Sequence, residues 1–175
     1  SLLKNMSMVF QNVYLFHDTI ENNIKFGCPD ATHEQVVEAA KKACCHDFIS
    51  ALPQGYDTVI GEGGSTLSGG EKQRISIARA MLKDAPIILL DEATASVDPE
   101  NEVHLQQAIS ALVKNKTLIV IAHRLSTIRD ADQILVVDNG KIVEKGVHAE
   151  LIQQKGIYQK FWNIRQKARN WKLAQ

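Results

Sequence analysis

Two adjacent acidic residues follow a short aliphatic run in the second half of the chain. Residues 87–90 are all Ile or Leu, and Asp91 and Glu92 come directly after them. A continuous aliphatic run is typical of a buried parallel strand, and the ligands of open α/β sheets gather at the carboxyl edge of such strands. An acid at that edge can hold Mg²⁺ beside the phosphates of a nucleotide, and its neighbour can deprotonate an attacking water. Alone the pattern is weak evidence, because acids also commonly begin the turn after a strand.

A pair of glycines behind a serine forms the second candidate site. Ser68 and Glu71 fit the S-x-x-E capping box, in which each side chain bonds the backbone of the other residue at a helix start. The box does not explain Gly69 and Gly70, since glycine lowers helix stability. A helix N-terminus with free N–H groups and a serine hydroxyl is also a phosphate site. Both interpretations can hold together.

The elements that must position these residues alternate between strand and helix. Residues 118–122 repeat the aliphatic pattern of residues 87–90, and apolar residues recur at helical spacing between them. Asp98 followed by Pro99 predicts the start of that helix, as an N-cap and a proline at the first helical position. This βαβ alternation predicts an α/β sheet with right-handed crossovers.

A hairpin is predicted further along the chain. Asn139-Gly140 separates the aliphatic residues 134–137 from residues 142–143, and Asn-Gly is a strong signal for a two-residue turn. We expect the resulting antiparallel strand to close the edge of the sheet. In the first half, residues 8–10 read as a strand, residues 19–52 as mostly helical, and residues 70–83 as a helix.

Composition and charge narrow the function classes. Twenty basic and 20 acidic residues give a formal net charge of zero, which argues against a protein that coats nucleic acid. The longest aliphatic runs fall far short of the ~20 residues that span a bilayer. Cys28, Cys44 and Cys45 form no CxxC pair, so reduced, packed thiols are expected rather than a zinc site. The last 21 residues carry six basic residues and no acid, which suits either a solvated helix docked on its own domain or a membrane or partner surface.

Six segments together resemble the motifs of the ATP-binding cassette (ABC) family, in the family's order. Residues 67–74 resemble the signature motif and residues 87–92 the Walker B strand, at the family's spacing. Residues 11–27 and 123–127 are similar to exporters whose membrane and cassette domains share one polypeptide. The other matching segments are the Q-loop at Phe10-Gln11, the Gly-Glu loop at residues 61–64, the D-loop at residues 95–98 and the switch-histidine segment at residues 117–127.

The resemblance implies roles for the matching residues. Glu92 would be the general base, and His123 would orient the attacking water and the γ-phosphate. Gln11 would bind Mg²⁺ and water, and Asp91 would bind Mg²⁺ through water. The residues that would contact ATP, or organise the interface of a cassette dimer, are Leu67, Ser68, Gly69, Gly70, Glu71 and Asp98. Asp98 also has a purely structural interpretation as a helix N-cap.

The implied fold is α/β: a partial P-loop NTPase (RecA-like), with a mostly parallel sheet and an α-helical subdomain inserted between the Q-loop and the Walker B strand. The helical subdomain would span about residues 17–84, and residues 1–16 and 85–175 would form the α/β core and C-terminal helices. The implied cofactors are ATP and Mg²⁺.

The implied partners are a second cassette and a transmembrane domain. The cassettes would form a head-to-tail homo- or heterodimer, and the fused or associated membrane domain would dock through its coupling helices. Phe16 and Ile20 are candidates for that contact, with core packing as the alternative. This arrangement implies a location at the cytoplasmic face of the cell membrane and no nucleic-acid partner.

The P-loop of the family, G-x-x-x-x-G-K-[ST], does not occur in these 175 residues. The one Gly-Lys pair, Gly140-Lys141, is followed by Ile142, and Leu135 stands where the first glycine should be. We therefore expect the C-terminal portion of an exporter's ATP-hydrolysing motor domain, with negligible ATPase activity by itself. The alternative is a truncated, non-catalytic cassette that acts as a dimerisation or regulatory module. A soluble cassette of DNA repair or translation is disfavoured by the exporter-like segments.

Overall fold

The computed structural model describes residues 2–64, 66–91, 99–122 and 125–172. It divides the chain into two units, Ser1–Ile121 and Ala122–Gln175, each with its own apolar core. Glu92, Asp98 and His123, which the sequence nominates for the site, lie outside the described residues. No helix within the described ranges is both long enough and apolar enough to cross a membrane.

The first unit has five strands and five helices among its described residues. A three-stranded parallel sheet has the order β1-β4-β5, and two residues each of β2 and β3 form a small antiparallel ladder. The bounds are β1 Met6–Val9, β2 Asp18–Thr19, α1 Ile20–Lys25, α2 His33–Lys42, α3 His46–Ser50, β3 Val59–Ile60, α4 Gly69–Lys83, β4 Ile87–Asp91, α5 Pro99–Val113 and β5 Thr117–Ile121.

The parallel sheet confirms the α/β fold class. Val9 lies opposite Leu90, and Asp91 lies opposite Ile121, so all three strands end at the same edge of the sheet. β1 starts at Met6, two residues earlier than the sequence pattern predicts, and ends before Phe10. The ends of the strands are therefore the feature that gathers candidate residues from distant parts of the chain.

The predicted helical insertion is present between β1 and β4. The helices α1, α2 and α3 occupy the region that the sequence predicts as mostly helical, and α4 follows a turn-rich segment. Apolar side chains from these helices join those of β1, β4 and α5 in one core. The β2–β3 ladder was not predicted, because two-residue strands carry no periodic signal.

The second unit contains β6 Ile134–Asp138, β7 Lys141–Gly146, α6 His148–Leu151 and α7 Ile157–Lys172. Asn139 and Gly140 both have positive φ, of 48° and 74°, as a two-residue primed turn requires, so the predicted hairpin is confirmed. Among the described strands, however, β6 pairs with β7 in a sheet of their own. The expectation that the hairpin closes the edge of the parallel sheet is wrong: the Asn139-Gly140 turn determines only that β6 pairs with β7, and it does not determine whether either strand joins a third one.

Helix α7 begins on a carboxylate from the hairpin. The Glu144 side chain accepts hydrogen bonds from the N–H groups of Ile157 and Tyr158, the first two residues of the helix. Negative charge at this end complements the helix dipole. Tyr158 is buried on this helix, whereas Phe161 and Ile164 are exposed.

Candidate functional site

The N-terminus of α4 is a complete capping box. The Ser68 Oγ accepts a hydrogen bond from the Glu71 N–H at 3.3 Å, and the Glu71 Oε2 accepts one from the Ser68 N–H at 2.7 Å. Gly69 and Gly70 are the first two residues of the helix, so their N–H groups have no acceptor one turn earlier within it. Ser68 and Gly69 are exposed to solvent.

This helix end suits an anion. The cap uses Ser68 Oγ as an acceptor, which leaves the hydroxyl hydrogen able to donate to a ligand. The N–H groups of the glycines and the positive end of the helix dipole add to that donor. Glycine also removes the side chains that would keep a phosphate from approaching the backbone. Leu67 is half-buried, and its N–H donates to Gly64 O at 2.9 Å, which fixes the approach of the chain to the helix.

The second cluster lies at the carboxyl edge of the parallel sheet. Asp91 is the last residue of the central strand β4, and it is partly buried. Gln11 is exposed in the bend that follows β1, the strand beside β4. A carboxylate and an amide are the hard oxygen donors that Mg²⁺ prefers. The described residues at this edge therefore fit a magnesium site that keeps waters among its ligands, although no three His, Cys, Asp or Glu side chains in the described ranges converge for a protein-only metal cage.

Helix α4 also holds the chain where it leaves β1. The buried Gln73 donates from its Nε2 to the carbonyl oxygen of Phe10 at 3.2 Å. Phe10 immediately precedes Gln11, and Gln73 lies little more than one turn into the helix that Ser68 caps. The two candidate clusters are therefore linked by a single side-chain hydrogen bond.

A buried amide organises the loop between β1 and α1. The Asn23 Oδ1 accepts from the Phe16 N–H at 2.9 Å, and its Nδ2 donates to the carbonyl oxygens of Phe16 at 3.1 Å and Thr19 at 3.0 Å. Asn23 is 1% exposed. This side chain thus supplies hydrogen-bond partners to the main chain of Phe16, which belongs to no strand.

Arg79 of α4 bonds both α1 and the loop that precedes it. Its Nε donates to Asn23 O at 2.8 Å, its Nη2 to Asn23 Oδ1 at 3.3 Å and its Nη1 to Tyr14 O at 3.4 Å. Burial lowers the pKa of the Arg79 guanidinium below its ordinary value. A Cβ on Gly27, just after α1, would overlap the Arg79 carbonyl oxygen, so glycine is what allows the end of α1 to lie this close to α4.

Three aromatic side chains form an exposed patch on this part of the first unit. The rings of Tyr14 and Phe16 are 5.4 Å apart, and those of Phe16 and Phe26 are 4.8 Å apart. Their exposed fractions are 56%, 39% and 63%, respectively. We call Tyr14, Phe16 and Phe26 the aromatic patch. Ile20 is fully buried, so for this residue the core-packing alternative is the correct one, while Phe16 remains available for contact.

Sequence reasoning missed the residues that position this site. Asn23 had a signal, because it shares a helix face with Ile20 and Ile24 and is the polar member of a buried set. Arg79, Tyr14 and Phe26 had none, since their relation depends on how α4 packs against α1. Glu71 and Leu67 lie where the motif places them, around the start of α4.

Comparison with known proteins agrees with this geometry. The profile of the ABC transporter family matches residues 1–95. The chain is 52% identical over 166 residues to an ATP-dependent lipid A-core flippase of Legionella pneumophila, covering 95% of this chain and 28% of the flippase. It is 55% identical over 167 residues to ABC transporter B family member 2 of Dictyostelium discoideum, covering 95% of this chain and 12% of that protein.

A solved structure supports the same assignment. A bacterial Atm1-family ABC exporter, with ATP bound, superposes with a TM-score of 0.83 at 47% identity, covering 94% of this chain and 29% of the exporter chain. The chain thus spans less than a third of each of these relatives. With its parallel sheet, its capped signature helix and more than half of its length matched by one family profile, the chain belongs to the ABC transporter family, as part of an exporter-type cassette.

Proposed function

We propose that this chain is part of the ATP-hydrolysing motor domain of an ABC exporter, which couples ATP-driven pairing of two cassettes to transport across a membrane. The observation that carries the proposal is the shared carboxyl edge of β1, β4 and β5. At this edge Asp91 is the last residue of β4, and Gln11 lies in the bend just after the adjacent strand β1. Oxygen donors at the carboxyl edge of an α/β sheet are what a nucleotide-bound Mg²⁺ needs.

The roles at this edge follow from the chemistry of phosphoryl transfer. When bound, Mg²⁺ would neutralise charge on the β- and γ-phosphates. Asp91 would hold the metal through water, and the Gln11 amide oxygen would add a ligand while its own loop stays tied to α4 through Phe10 and Gln73. Glu92 is proposed as the general base and His123 as the group that orients the water, on the resemblance of their segments to Walker B and the switch region.

The α4 N-terminus is proposed to act on a different nucleotide. Ser68, Gly69 and Gly70 would donate to the ATP held by a second cassette across a head-to-tail dimer, with Leu67 and Glu71 shaping that end of the helix and Asp98 at the interface. The exposure of Ser68 and Gly69 supports this role, because a second cassette can approach them; Gly70 is buried and would contribute through its backbone N–H alone.

The aromatic patch is proposed as the contact for the membrane domain. A contiguous exposed apolar patch on a protein surface commonly marks a site of interaction with another protein or a membrane. Two residues of the patch, Tyr14 and Phe16, lie on the loop that follows Gln11, and Phe26 lies at the end of α1. A partner bound to the patch would therefore respond to movement of that loop. The relatives of this chain include a lipid A-core flippase and an Atm1-family exporter, which supports a location of the motor at the cytoplasmic face of the cell membrane.

The 175 residues alone are proposed to lack turnover, because they contain no P-loop lysine and none of its backbone donors. The test is calorimetric titration with Mg·ATP of this chain and of a chain extended upstream to include the P-loop. We expect binding and hydrolysis only in the extended chain, with hydrolysis abolished by Glu92→Gln.

Two results of this titration would contradict the proposal. Tight Mg·ATP binding by the 175-residue chain would show that another element replaces the P-loop. Absence of a P-loop in the upstream coding sequence, with no hydrolysis by any extended chain, would favour a non-catalytic module that pairs with an intact cassette.

A further inference from the structure

The side chain of Arg79 connects α4 to the aromatic patch. Its Cζ lies 5.8 Å from the centroid of the Phe16 ring and 5.5 Å from that of Phe26, within the range of cation–π attraction. Through its Nη1 it also holds the main chain of Tyr14. One guanidinium therefore contacts all three residues of the patch, two through their rings and one through its carbonyl.

The partners of Arg79 are all neutral. Its hydrogen bonds go to two carbonyl oxygens and one amide oxygen, and none of the four ion pairs found in the described part of the chain involves it. Keeping a half-buried cation without a carboxylate costs free energy that an apolar side chain would avoid. What the guanidinium adds is geometry: a rigid plane donates along its edge to carbonyls while its faces lie against rings.

Arg79 lies on the same helix as the candidate phosphate-binding residues, so movement at one end of α4 can reach the patch. Ser68 caps one end of the helix, and Arg79 lies about 15 Å from Gly69 at a rise of 1.5 Å per residue. A continuous helix transmits a displacement along its axis, because its backbone hydrogen bonds do not stretch independently. A shift of the α4 N-terminus toward a nucleotide is thus delivered to the side chain that holds the patch.

We infer that Arg79 is a positioning residue that keeps the aromatic patch in register with α4, so that nucleotide engagement at Ser68-Gly69-Gly70 moves the membrane-facing patch. The inference rests on the proposed function, since it takes the patch as the membrane-domain contact. In this scheme Arg79 contacts neither the nucleotide nor the attacking water, so its loss should weaken the coupling between nucleotide binding and the patch rather than hydrolysis itself.

The test uses the complete transporter that contains this chain, reconstituted in vesicles of phosphatidylethanolamine and phosphatidylglycerol. Two quantities are measured in the same vesicles: the ATPase rate, and the change in tryptic cleavage rate of the membrane domain on adding Mg·ATP with vanadate. The variants are Arg79→Gln and Arg79→Lys. Lys83→Gln is the matched control, because Lys83 is also a cation on α4 that donates to two main-chain carbonyls, those of Leu3 and Met6, away from the patch.

In both Arg79 variants we expect the nucleotide-dependent change in cleavage rate to be about two- to thirty-fold smaller than in wild type. Their ATPase rate should stay within about twofold of wild type. Arg79→Lys should not rescue, because an ammonium cannot serve three acceptors in one plane and two ring faces at once. Lys83→Gln should keep both quantities.

Three outcomes would overturn the inference. If the Arg79 variants respond to nucleotide as wild type does, Arg79 does not couple. If ATPase and response fall together by one factor, as would follow from partial unfolding, Arg79 is merely structural. If the wild-type transporter hydrolyses ATP and its membrane domain never responds, the docking role of the patch is wrong and this inference fails with it.

Discussion

Replacing Asn23 by alanine should lower the free energy of unfolding of the first unit by more than the small loss of side-chain volume would suggest. The Asn23 side chain is the hydrogen-bond partner of both the N–H and the C=O of Phe16, at 2.9 and 3.1 Å. Removal leaves these groups without a partner, and each polar group kept from water costs about 1–3 kcal/mol. Because Phe16 is partly exposed, one of the two groups regains water in part. We expect a loss of about 3 kcal/mol in the free energy of unfolding.

The assay must report on the first unit. Both tryptophans, Trp162 and Trp171, belong to the second unit, so urea unfolding is best followed by far-ultraviolet circular dichroism and by amide hydrogen exchange of the loop. A loss of about 3 kcal/mol corresponds to a fall of about 6–12 °C in Tm for a chain of this length. Asn23→Asp should lie between alanine and wild type, since it keeps the acceptor for the Phe16 N–H and loses both donors.

Asn22→Ala is the matched control. Asn22 precedes Asn23 in the same helix, but it is exposed and its amide bonds the exposed carboxylate of Asp18 at 2.8 Å. Its removal should change the free energy of unfolding by less than about 0.5 kcal/mol. If Asn23→Ala and Asn22→Ala unfold at the same urea concentration, the Asn23 amide is not what holds the loop between β1 and α1.

Three further perturbations test other parts of the fold. Ser68→Ala should cost about 1 kcal/mol in urea unfolding, whereas Glu71→Gln should cost little, since glutamine at that position completes the same capping box; equal losses would contradict the cap. Burial raises the pKa of the Cys45 thiol to about 12 from 9.0, so Ellman's reagent should titrate two of the three thiols in the native chain and the third only in urea. The stability due to this protonated thiol is present below pH 9.0 and falls as the pH rises toward 12, because only the unfolded chain ionises there. Glu144→Ala should fray the start of α7 and lower the free energy of unfolding by about 1 kcal/mol. The change should be visible in the fluorescence of Trp162, because the Trp162 ring lies 4.4 Å from the ring of His148. Unchanged fluorescence and stability would show that α7 needs no carboxylate at its start.

Sequence patterns predicted the elements that are long and periodic. The aliphatic runs became β4 and β5, the S-x-x-E box became the start of α4, and Asn139-Gly140 became a hairpin turn. Each of these depends on local spacing alone, so the sequence is sufficient. The hairpin's place in the architecture was predicted wrongly, because which strands pair across long separations is decided by packing and leaves no local signal.

The candidate site was predictable only in its motif residues. Ser68 and Asp91 were nominated by type and spacing, and Gln11 by the resemblance of its segment to the Q-loop. The structure places Ser68 at a helix start and the other two at one sheet edge. The residues that hold those positions, such as Arg79 and Gln73, bond main-chain carbonyls more than 50 residues away along the chain. Every residue type offers the same main-chain carbonyl oxygen, so no sequence pattern indicates which residue will accept such a hydrogen bond.

The pairing of β1 with β4 also sets an order of assembly during translation. Met6 pairs with Ile87, so β1 leaves the ribosome long before its neighbour in the sheet exists. The helices α1, α2 and α4 contact one another within the intervening stretch and need no strand to begin packing. Helical contacts should therefore form first, and the sheet should close last, since long loops delay non-local pairing. Pulse-labelled hydrogen exchange would show this as protection of α4 before β1. Until β4 is made, β1 lacks the partner that it has in the folded sheet, and a chaperone that recognises short apolar strands would bind it there.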